Sequence, residues 1–158
     1  MKQKLLHYII VTLLHCTIVG IPLLAACSTD DDIDEIFIGN RFKITGLTYN
    51  GQKTVKDVKE FYDGDSYWIA FSRTTVTGML QQGMKIEGTW SADGSSRELS
   101  FDLTSPRNAE GTSDICSKVF SVLKNASSYS GDKNVLIIKR DNSSFIELRS
   151  ENLQNKTK

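Results

Sequence analysis

Histidine is almost missing from this chain. There are two, His7 and His15, and both fall inside an apolar run at the start. Residues 28–158 therefore contain no Ser-His-Asp triad, no Cys-His pair and no histidine metal ligand. They also lack a glycine-rich loop able to cradle a phosphate. Cysteine is scarce, with Cys16, Cys27 and Cys116 the only three, which excludes a cysteine-cluster zinc site. Charge of one sign is lacking too: 19 basic residues meet 19 acidic ones, so no global field draws nucleic acid. Carboxylate chemistry and oxygen-only calcium sites survive these exclusions: Glu60, Glu87 and Glu98 are the carboxylates to weigh for the first, and Asp63-Gly64-Asp65 for the second, although it lacks a third ligand and a distal Glu and reads as a plain turn. With 158 residues, the chain is long enough for one domain.

What is present begins with an address. Lys2 and Lys4 precede an apolar run from Leu5 to Ala26, a charged n-region followed by an h-region. The run is long enough to cross a bilayer, but His7, His15, Gly20 and Pro22 argue against a permanent span. It ends in Leu24-Ala25-Ala26-Cys27, which resembles the lipobox of bacterial lipoproteins. The resemblance implies cleavage before Cys27 and acylation of that residue, so residues 1–26 are assigned to a lipoprotein signal peptide. Removing them from 158 leaves 132 residues with 17 basic and 19 acidic side chains, a net charge of −2. Cys116 is then the one free thiol, and no intramolecular disulfide can form.

Residues 27–35 read as an acidic tether. Asp30, Asp31, Asp32, Asp34 and Glu35 repel one another, which predicts an extended, solvated spacer. Ser28 with Asp30, Asp31 and Asp32 also resembles the surface-export signal of lipoproteins in one phylum of Gram-negative bacteria. The implied location is the outer membrane, lipid-anchored, on the cell surface.

Residues 36–150 read as a single folded domain, and residues 151–158 as a polar tail. Arg41 to Leu47 alternates polar and apolar. A short helix is predicted over Lys53 to Phe61. Ser66–Ser72, Thr74–Leu80, Met84–Ser91 and Arg97–Thr104 read as strands, rich in β-branched and aromatic residues and separated by short gaps. Thr112 or Ser113 caps a helix whose apolar face runs through Cys116, Val119, Phe120 and Leu123. Val135–Lys139 and Ser144–Arg149 form a last hairpin. The fold class predicted is α+β: a small antiparallel β-barrel or strongly curled sheet with one packed helix.

Val76-Thr77-Gly78, Gly88-Thr89-Trp90, Leu99-Ser100-Phe101 and Thr112-Ser113-Asp114-Ile115-Cys116 resemble the signature segments of the META domain of small envelope lipoproteins. The Cys-Asn pair of that family is absent, and Gln81-Gln82-Gly83-Met84 stands near its place, so the disulfide it would imply to Cys116 is lost. The Gly-Thr-Trp strand is also similar to lipocalin-like domains. The whole resembles a family of short surface lipoproteins defined only as a domain of unknown function. None of these resemblances supplies a catalytic residue.

Trp68, Phe71 and Trp90 are the candidate ligand-lining aromatics; as strand residues they suit a core equally well. No catalytic residue, metal site or cofactor is expected. Two functions stay open. One is a non-catalytic binding or structural module with an envelope protein as partner. The other is a lipocalin-like carrier of a small apolar ligand. Labelled palmitate is expected to enter the wild-type protein and not Cys27→Ala. Changing Asp30, Asp31 and Asp32 together to Ala is expected to keep the label yet shield the protein from protease added to intact cells. A label that persists in Cys27→Ala would refute acylation there.

Overall fold

The computed structural model describes residues 29–54, 61, 64–81, 84–104 and 113–151. The elements run α1 (Thr29–Phe37), β1 (Arg41–Tyr49), β2 (Gln52–Thr54), β3 (Trp68–Phe71), β4 (Thr75–Gln81), β5 (Met84–Asp93), β6 (Glu98–Leu103), α2 (Asp114–Lys124), β7 (Ser128–Gly131), β8 (Val135–Asp141) and β9 (Ser144–Ser150). Among the described residues no helix is long and apolar enough to cross a membrane.

Eight strands close into an antiparallel barrel. Going round it, β1 neighbours β3, the order continues β4 to β9, and β9 pairs back onto β1. The ninth strand, β2, lies outside the circuit and pairs with the second half of β1, Leu47 facing Thr54. The closing ladder runs from Phe42 opposite Ser150 to Thr48 opposite Phe145, with a register shift between Ile44 and Gly46. That bulge changes the phase of the alternation. Phe42 and Ile44 are buried before it, and Leu47 after it. Most of the described residues are sheet, so "α+β" describes the fold loosely; the small barrel is as predicted, with a helix at each end rather than one packed helix.

Period-two alternation sets the inner face. Ile69 and Phe71 of β3, Val76 and Leu80 of β4, Leu136 and Ile138 of β8, and Ile146 and Leu148 of β9 are all buried. Gly88 permits a close approach of β5 to β6: a Cβ there would stand 2.0 Å from the carbonyl oxygen of Asp102.

The helix α2 forms where its cap predicts. Ser113 Oγ accepts from the Cys116 N–H at 3.2 Å, and Asp114 lies in the first turn. Cys116, Val119, Val122 and Leu123 make its buried face, packed against β4, β6, β8 and β9. The seam between β6 and β7 has a single register pair, Glu98 with Ser128.

Three expectations change. The acidic run is helical rather than extended. Carboxylates near a helix N-terminus are favoured by the helix dipole, and Ile33, Ile36 and Phe37 share one face that packs on the barrel. Residues 52–54 are a strand rather than the start of a helix; of the remainder of the predicted 53–61 helix, only Phe61 lies among the described residues, and it is buried. The strand β7 went unpredicted because Ser128–Gly131 has one apolar residue, Tyr129.

The end of α1 is fixed in several ways. Asn40 Nδ2 donates to the carbonyls of Glu35 (3.0 Å) and Ile36 (2.8 Å), which satisfies part of the helix C-terminus. Glu35 pairs with Lys133 in the β7–β8 turn. Phe37 is completely buried. Phe37→Ala should therefore lower unfolding stability in urea by about 3–5 kcal/mol, the range for truncating a core Phe. A loss below about 1 kcal/mol would show that α1 is not part of the core.

Candidate functional site

The barrel end covered by α1 gathers a cluster of six aromatic side chains. The Phe37 ring lies 5.0 Å from Phe71, 4.9 Å from Trp90 and 5.0 Å from Tyr129, centroid to centroid. Phe71 in turn lies 5.2 Å from Trp90 and 6.1 Å from both Phe42 and Phe101. Edge-to-face packing dominates, the geometry favoured by aromatic quadrupoles. The indole of Trp90 donates to the Ser72 carbonyl at 2.9 Å, which fixes the ring against the β3–β4 turn.

Of the three aromatics singled out from sequence, the fold brings two together. Phe71 and Trp90 share the mouth. Trp68 points to the other face of β3, half-buried, with the Arg41 guanidinium 4.0 Å from its ring centroid and its Nε1 donating to Asp65 O at 3.1 Å. Phe37 and Tyr129 complete the mouth and were not singled out. The Ile33, Ile36, Phe37 spacing was a readable helix signal inside the acidic run; Tyr129 had none.

Tyr129 is the anomaly of the cluster. Its hydroxyl is buried and, among the described residues, has no hydrogen-bond partner. Leaving such a group unsatisfied costs about 1–3 kcal/mol. Two open depressions lie beside the mouth. One, of about 300 Å³, is bordered by Ile33, Asp34, Ile38, Arg73 and Trp90. The other, of about 290 Å³, lies over Asp93, Glu98, Leu99 and Ala126. Ser91 and Ala92 line both.

Several other polar groups among the described residues are occupied with structure. Asp93 accepts from Ser95 N (2.7 Å), Ser95 Oγ (2.6 Å) and Ser96 N (3.1 Å), and those bonds hold its carboxyl below the usual range. Asp141 is depressed more strongly by the Ser143 hydroxyl, Arg140 and the Ser143 N–H. Arg140 also reaches Asn50 and Ser144 and stands 4.9 Å from the Tyr49 ring. Hydrogen bonds from Ser121 and Arg140 lower the Tyr49 pKa. Lys43 is buried, its ammonium donating to the Gly64 and Ser66 carbonyls, and burial pushes its pKa down.

Glu87 and Glu98 lie near opposite ends of the β5–β6 ladder, so they form no carboxylate pair; Glu60 lies outside the described residues. Asp65, half of the candidate Asp63-Gly64-Asp65 calcium turn, pairs with Arg41, and Asp63 lies outside the described residues. Among the described residues no three His, Cys, Asp or Glu side chains are grouped to hold a metal. Cys27 and Ser28 lie outside the described residues; Asp30, Asp31 and Asp32 lie on α1.

The molecule is thus a small closed antiparallel barrel with an aromatic mouth covered by an N-terminal helix. Residues 28–149 match the model of a domain of unknown function, DUF4847, and the chain belongs to that family. A crystal structure of a DUF4847 family protein from Bacteroides vulgatus ATCC 8482 shares the fold, with 23% identity, a TM-score of 0.57, and coverage of 74% of this chain and 96% of that one. An NMR structure of a protein from Burkholderia xenovorans is similar at 14% identity and a TM-score of 0.54, over 84% of this chain and 96% of its own. No curated protein matches.

Cys116 shows how the far end is sealed. Its thiol is buried 3.0 Å from the Met84 sulfur, and burial pushes its pKa up to about 11 from 9.0. The folded protein therefore holds this proton as pH rises through 9, where the unfolded chain releases it, so this contribution to stability is present below pH 9 and lost toward pH 11. At pH 8 iodoacetamide should leave native Cys116 unmodified and alkylate it rapidly in urea. Fast alkylation of the native protein would contradict the sealed packing.

Proposed function

We propose that the protein is a lipid-anchored module of the outer envelope, displayed on the cell surface, that binds a protein partner with its outer face and catalyses no reaction. The observation that carries this reading is the occupancy of the barrel interior. Phe37, Phe42, Ile44, Ile69, Leu80 and Ile86 are each completely buried, and an eight-stranded barrel is just wide enough for side chains to fill. Binding then falls to the exposed strand faces and loops. The lipobox-like Leu24-Ala25-Ala26-Cys27 supports the anchor, and Ser28 with Asp30 to Asp32 supports export to the surface. The lack of histidine in residues 28–158, and the commitment of Asp93 and Asp141 to turns, support a non-catalytic role.

A second reading, a carrier of a small apolar ligand, draws on the unpartnered Tyr129 hydroxyl beside the aromatic mouth. A ligand with an apolar body and one polar atom suits that combination. The META-like and lipocalin-like resemblances of the Gly88-Thr89-Trp90 strand fit either reading.

Titrating Trp68 and Trp90 fluorescence with fatty acids, sterols and oligosaccharides separates the two. The module predicts no saturable change. It also predicts that a photo-crosslinker replacing Thr77, on the exposed face of β4, captures one defined envelope protein on intact cells. Saturable quenching by a small apolar molecule, with no protein captured, would reverse the order of the two readings.

A further inference from the structure

We propose that the α1 end of the barrel is a membrane-facing surface, held against the lipid headgroups by a rigid link; this rests on the acylation of Cys27 proposed above. A flexible spacer would let the barrel tumble. The acidic run does not act as one, because it folds as α1 from Thr29, two residues after Cys27. Two residues reach at most about 7 Å. Nine helical residues add about 13 Å, so the acyl group stays within about 20 Å of Phe37.

The other end of α1 cannot swing. Phe37 is locked among Phe71, Trp90 and Tyr129. Just after it Ile38 bridges to Phe71, the Gly39 N–H donates to Phe71 O at 3.0 Å, and the Phe71 N–H donates to Asn40 O at 3.2 Å. The link between lipid and barrel is therefore a short docked helix, and the end that carries it must face the bilayer.

That end also holds the β3–β4, β5–β6 and β7–β8 turns, since the strands are antiparallel around the barrel. Each turn brings one cation, Arg73, Arg97 or Lys133. Beside the carboxylates of α1 they present an anionic headgroup layer with both signs rather than a single negative field. The β8–β9 turn and α2 then point away from the membrane, toward any partner.

The test uses the full acylated protein in vesicles of phosphatidylethanolamine and phosphatidylglycerol with a nitroxide on the lipid headgroup. An environment-sensitive fluorophore is placed at Thr74→Cys, in the β3–β4 turn, or at Asn142→Cys, in the β8–β9 turn; both positions are exposed. Quenching is expected to be several-fold stronger at position 74. Ten Gly-Ser residues inserted between Ser28 and Thr29 add roughly 18 Å of flexible reach and should remove the difference. Equal quenching in the acylated parent overturns the orientation alone, and a difference that survives the insertion overturns the rigid link. Mass spectrometry of the same preparation reads the acyl group, and its absence from Cys27 overturns the anchor reading with it.

Discussion

The pairing of β1 with β9 is the constraint on which the rest of this structure depends. It joins the first barrel strand to the last, across about 100 residues of chain, and turns an open sheet into a closed one. Such a contact pays its loop-closure entropy late in folding, after the local hairpins exist. The bulge at Gly46 lets β1 serve two neighbours in succession. Its first half faces β3 and its second half β2, while β9 runs along its other side. Closure removes the sheet edges that would otherwise invite aggregation, and it leaves an interior that side chains must fill.

The two ends are finished differently. At one, α2 lays an apolar face over the barrel and buries Cys116 against Met84. At the other, a single ring, Phe37, is set among three aromatics, and Asp34 and Glu35 of α1 stay outside. The second arrangement couples the segment that follows Cys27 to the core. It also leaves the Tyr129 hydroxyl without a hydrogen-bond partner among the described residues.

The outer face of the barrel carries well-defined features of its own. Trp68, stacked under Arg41 and flanked by Asp65 and Glu151, is a surface feature rather than a cavity wall. The exposed threonines of β4 and β5, Thr75 opposite Thr89 and Thr77 opposite Glu87, present a flat hydroxyl-rich ladder.

Much of the barrel was legible in the sequence because its signals are local. Alternation in residues 75–81, 98–103 and 144–150 fixes which side chains face inward, and Ser113 with Asp114 fixes where α2 begins. The absence of histidine from residues 28–158 likewise restricts the chemistry. Other features belong to the tertiary structure alone. Alternation puts Trp68 and Phe71, three residues apart, on opposite faces of β3, but it cannot say that Trp90 of β5 meets Phe71, since that depends on which face of each strand closure turns inward. Within the acidic run the spacing of Ile33, Ile36 and Phe37 is a local helix signal, but what receives that face is decided only by the barrel mouth. Nor does Ser128–Gly131 have enough apolar character to be a strand by itself; it becomes one because β8 offers it a ladder, Ser128 opposite Lys139 and Gly131 opposite Leu136. In each case the deciding free energy comes from a contact between residues far apart in sequence, which no local pattern encodes.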